Sequence, residues 1–78
     1  GEDLLKFRAT LQNLATYRDN KESLITNNRF MGGLIRDMNQ SLINLDNLQG
    51  IDDIKKQGLG LYIEHMREEI MKIMNDRM

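Results

Sequence analysis

Residues 59–74 read LGLYIEHMREEIMKIM, and the apolar positions Leu59, Ile63, Met66, Ile70 and Ile73 recur at steps of 4, 3, 4 and 3. That spacing puts five side chains on one stripe of a helix, the pattern of a helix that packs on another helix. The chain contains neither proline nor cysteine, so nothing interrupts or staples the pattern. Leu61, Tyr62, Met71, Met74 and Met78 widen the stripe. A wide stripe can touch two neighbours, which makes this helix the expected centre of the fold or the element shared with a partner.

Upstream, Leu4, Phe7, Leu11 and Leu14 repeat at 3, 4 and 3, with Leu5, Ala15 and Tyr17 beside them. Glu2 and Asp3 stand where a helix N-terminus favours negative charge. The stripe then meets Arg18 and Lys21 before resuming at Leu24 and Ile25. Either the helix frays beyond Tyr17 or these long stems run along the interface with their charges in water. Thr26-Asn27-Asn28 marks a break, because these residues cap helices and form turns better than they extend helices. A second stripe follows in Met31, Leu34, Ile35, Met38, Leu42, Leu45 and Leu48. Gly32-Gly33 lies at its start, as a weak first turn, a longer loop or a place where a neighbouring backbone comes close. Gly50 reads as the left-handed residue that closes this helix. Asp52 and Asp53 open the next one, after which Ile51 and Ile54 form a short apolar patch. Gly58 and Gly60 read as a loop before the last helix or as a hinge within it.

These patterns predict three helices, at about 3–25, 29–48 and 52–77. Period-two alternation is absent and the chain has no valine, so the fold class is all-α. Two architectures fit: a closed three-helix bundle, or a helical hairpin with coiled-coil-like packing whose apolar faces another chain completes.

Seventy-eight residues form one small helical domain. A chain of this length buries about 60–65% of the surface that it exposes unfolded, so its stability is marginal without help. Small domains find that help in disulfides, metals, association or very good helix packing. Without cysteine there is no disulfide, and one histidine without a thiolate makes a poor zinc site. Association or tight packing is left. Gly1 in place of methionine points to a tag scar or an excised piece, so a fragment of a longer protein is expected. The absence of cysteine, of a secretory h-region and of a membrane-spanning run leads to the expectation of a cytoplasmic setting.

Candidate chemistry is sparse. His65 and Glu69 lie one turn apart, but His65 sits two positions past Ile63 and reads as a solvated side chain among carboxylates. Asp52-Asp53 and Glu68-Glu69 are sequence neighbours, which do not face each other on a helix, so they do not make an acid–base pair. Lys55-Lys56 with Arg67 and Lys72, or Lys6 with Arg8 and Arg18, would attract phosphates, yet acidic residues dilute each group. Eleven basic against twelve acidic residues leave a net charge of −1 and no overall field for nucleic acid. Six methionines offer either pliant core filling or an adaptable groove, with Met71, Met74 and Met78 the expected exposed ones.

The expectation is therefore a non-enzymatic module for protein–protein interaction or oligomerisation, without cofactor or metal. Its stripe is Leu59, Ile63, Met66, Ile70, Ile73 and Met74, with Met31, Leu34, Ile35, Met38, Leu42 and Leu45 opposite. The partner is another protein helix or a second copy of the chain. The alternative is a small helical regulatory domain associated with nucleic acid through Lys55 and Lys56.

Overall fold

The computed structural model describes residues 1–77. Helix α1 spans Glu2–Asp19, the single turn α2 spans Lys21–Leu24, α3 spans Asn28–Asn44 and α4 spans Asp53–Asp76, with no strand among the described residues. A 3-10 turn, Leu45–Asn47, extends α3. The molecule measures 38 × 19 × 19 Å. At 1.5 Å per residue α4 alone is about 36 Å long, so the long axis is one helix and the cross-section is a bundle.

Local chemistry sets the element boundaries. Asn27 caps α3 by accepting from the Phe30 amide at 3.0 Å, and Asp52 caps α4 by accepting from the Lys55 amide at 2.8 Å. Gly50 has φ +85, the left-handed conformation its position called for. The first helix is shorter than the 3–25 expected. Asn20, at φ −128, leaves the helical region, and its side-chain amide donates to the Thr16 carbonyl at 3.0 Å. A side chain that bonds the backbone in this way competes with the next helical turn. The second helix also ends early, because its last turn tightens to 3-10 geometry before Leu48, which is buried.

The three long helices close on one core of Phe7, Leu14, Tyr17, Met31, Leu34, Met38, Leu48, Ile63, Met66 and Ile70. The helix between the other two is α3, not α4 as expected, since α3 packs closely along both α1 and α4. The reason lies in how the surplus apolar residues of α4 are disposed. Leu61 and Met71 turn outward instead of widening the buried stripe.

Gly58 and Gly60 both lie inside α4 and not in a loop. A Cβ on Gly60 would come within 2.9 Å of Leu45 Cδ2, so the close approach that glycine permits occurs here. It does not occur at Gly32, where such an atom meets nothing, or at Gly33, where it touches only the Arg36 guanidinium at 3.9 Å. One buried polar chain joins α1 to α3. The Ser41 hydroxyl donates to the Thr10 hydroxyl at 2.9 Å, which donates to the Lys6 carbonyl at 3.1 Å. Two hydroxyls are thereby satisfied within the core.

Ile63 and Ile70 have no exposed surface. Truncating either to alanine should lower stability by about 2–5 kcal/mol, read as a lower denaturant midpoint. Gly58 sits mid-helix with open space around it, so Gly58→Ala should stabilise by about 0.5–1 kcal/mol in the same assay. Gly60→Ala should gain less, because Leu45 must move aside.

Candidate partner-docking face

The stripe residues read from the sequence now have places. Ile63, Met66 and Ile70 are buried, Leu59 and Met74 are half-buried against the core, and Ile73 is half-buried without belonging to the core cluster. Opposite them Met31, Leu34 and Met38 are buried, while Ile35, Leu42 and Leu45 are half-buried against them. These side chains largely face one another inside the bundle. The surface left for contact with other molecules is made of different residues.

That surface runs along α4, beside the 3-10 turn that follows α3. Arg67 Nη1 donates to Asn39 Oδ1 at 2.7 Å, and the Lys56 ammonium donates to the Asp46 carbonyl at 3.4 Å. With the Gly60–Leu45 approach, these contacts hold α4 antiparallel along α3. Beyond the contact line, Ile54 is 82% exposed and Leu61 69% exposed. Seven residues apart, they share one ridge of α4. Ile43 at the end of α3 and Met71 near the end of α4 are also exposed. The Ile51–Ile54 patch expected from the sequence is split, with Ile51 turned to the core and Ile54 to solvent.

Two open grooves run along this side. One, of about 550 Å³, lies between the 3-10 turn and the first half of α4, lined by Leu45, Asp46, Asp53, Lys56, Gln57, Gly60, Leu61 and Glu64. The other, of about 620 Å³, follows the second half and includes Glu64, Arg67, Glu68, Met71 and Lys72. Glu64 borders both, so they form one track. The ion pairs among the described residues are Glu2–Lys6, Lys21–Glu69 and Arg36–Asp37. Asp46, Asp53, Glu64 and Glu68 are in none of them. The track thus has an apolar ridge, and its lining carries five carboxylates, Asp46, Asp53, Glu64, Glu68 and Asp76, against three cations, Lys56, Arg67 and Lys72.

The other candidates do not assemble into sites. His65 is exposed, and Glu69, one turn along, is held by Lys21 at 3.2 Å. No group of three His, Cys, Asp or Glu able to hold a metal ion occurs among the described residues. Asp52 serves as a helix cap. The cations are dispersed: Lys6 pairs with Glu2, Arg67 with Asn39, and Arg18 donates to the Tyr62 hydroxyl at 3.3 Å. No helix of the described residues is long and apolar enough to cross a membrane. Met71 is exposed as expected, Met74 packs on the core, and Met78 lies outside the described residues.

Arg18 and Lys21, where the first stripe seemed to fail, reach across to α4. The Lys21 ammonium lies 6.0 Å from the centre of the Tyr17 ring while bonding Glu69. The hydrogen bond that Lys21 donates to Glu69, followed by the charges of Tyr17 and Glu69, holds Lys21 above the usual lysine range. Burial pushes the Tyr17 phenol up, opposed in part by Lys21. Its hydroxyl is buried without a hydrogen-bond partner. Thr10, Ser41 and Tyr17 are the core residues that composition-based reading undervalues. Their signal was register, since Phe7, Thr10, Leu14 and Tyr17 repeat at 3, 4 and 3.

An unpartnered buried hydroxyl costs about 1–3 kcal/mol, so Tyr17→Phe should stabilise the fold by about 1 kcal/mol. Both shifted groups hold their protons more tightly folded than unfolded. Their contribution is therefore complete below the unfolded pKa, near 10.0 for tyrosine and 10.5 for lysine, and is lost as pH rises through the higher folded values. The melting temperature should hold between neutral pH and about 9 and fall above 10, with a shallower fall in Tyr17→Phe.

Comparison with protein-family models, with curated proteins and with solved structures finds no match to this chain.

Proposed function

We propose that the chain is a non-enzymatic association module that receives a helix of another protein chain along α4, beside the 3-10 turn. The observation that carries this reading is the exposed Ile54–Leu61 ridge beside an open groove, left over after the main stripe has closed on itself. A helix laid there would bury apolar side chains at i, i+3, i+4 and i+7, the usual mode of helix-in-groove recognition. Burial of one leucine contributes roughly 1.5–3 kcal/mol, so two or three such anchors support a specific complex. Coiled-coil-like pairing, expected of the Leu59–Ile73 stripe, belongs on this reading to the Ile54–Leu61 ridge. Nucleic-acid binding has less support, because Lys55, Lys56, Arg67 and Lys72 do not form one basic surface and carboxylates stand between them.

The test is selection of binders from a displayed library of amphipathic helices without charge bias. Selected helices should bind Leu61→Asp on the order of ten-fold more weakly than the parent, the loss of one apolar anchor. Leu61 is exposed, so the variant should melt with the parent. If the selected helices bind Leu61→Asp as tightly as the parent, the docking face is misplaced. Light scattering across a concentration series identifies the second-copy case, in which the mass rises with concentration for the parent and not for Leu61→Asp.

A further inference from the structure

We infer that the helix received on this face is cationic, with Lys or Arg flanking its apolar stripe; this rests on the association reading above. The track along α4 has an apolar ridge, Ile54 and Leu61, bordered by Asp46, Asp53, Glu64 and Glu68. None of these four carboxylates is in an ion pair among the described residues. The same grooves are bordered by three cations, Lys56, Arg67 and Lys72, and by a fifth carboxylate, Asp76. Arg67 donates to Asn39, and Lys56 donates to the Asp46 carbonyl. Five carboxylates against three cations leave the track net anionic by two charges, and complementary potential selects the partner. An acidic helix placed there would set like charges together along both edges, which is the repulsive half of specificity. The chain's own outward face on α1 is a poorer occupant. Its exposed Leu5 is followed along the helix by Ala9, Gln12 and Ala15, with Arg8 as the one cation beside them.

Two labelled helical peptides decide the matter, identical in their leucine stripe and differing only in lysine or glutamate flanks. Fluorescence anisotropy on the full chain should show the lysine peptide binding about ten-fold more tightly at low salt, the sum of several rim pairs. The advantage should shrink as salt is raised. It should disappear in the double variant Glu64→Lys, Glu68→Lys, whereas Leu61→Asp should weaken both peptides. Equal affinity of the two peptides overturns the charge inference and leaves the docking face standing. A lysine preference that survives charge reversal at both positions also overturns it. Binding of both peptides that Leu61→Asp does not alter removes the docking face as well.

Discussion

Mutual burial of Leu14, Tyr17, Met31, Met38, Ile63 and Ile70, each with almost no exposed surface, is the interaction on which the rest of the fold depends. In a chain of 78 residues without cysteine, no disulfide shares this task. The seam runs through α3, which faces α1 on one side and α4 on the other. Two of its members are methionines, whose unbranched side chains adapt to irregular gaps in a core. The capped starts of α3 and α4 and the left-handed Gly50 place the helices so that this seam can close.

Polar groups inside the seam are handled unequally. Thr10 and Ser41 satisfy each other and a helix carbonyl, so the α1–α3 contact carries a directional link that apolar side chains cannot supply. Such a link penalises rotation of either helix, since a slipped register would leave two buried hydroxyls unpaired. Tyr17 contributes its ring to the core but leaves its hydroxyl without a partner. The nearby charges of Lys21 and Glu69 bond each other instead, and they tie the α1–α2 corner to the far half of α4.

Closure of the core has a consequence for the surface. The residues first expected to meet a partner are spent within the bundle, and the apolar residues that remain outside are Ile43, Ile54, Leu61 and Met71, with Leu5 on the far side. Scattered single apolar side chains are ordinary on a protein surface. Ile54 and Leu61 differ in sharing a ridge and in lying beside a groove with unpaired carboxylates at its edges.

The sequence by itself determined the all-α class, the helix starts at Asn28 and Asp53, the left-handed Gly50 and nearly all of the buried stripe. These are local properties: periodicity, caps and backbone conformation depend on neighbours within one or two turns. The interruption near Asn20 was legible only as one of two alternatives, a helix that frays beyond Tyr17, because the apolar stripe does not show that the Asn20 amide bonds the Thr16 carbonyl. Tertiary structure alone decided that α3 is central, that Gly60 is the close-approach glycine, and that Ile51 and Ile54 part to opposite sides. It also decided that Leu61 stands outside while Ile63, two positions on, is sealed within. Periodicity ranks which face of a helix is most apolar, but it does not say how far around the helix its neighbours reach. That limit is set by where three helices meet, and every apolar residue beyond it becomes surface.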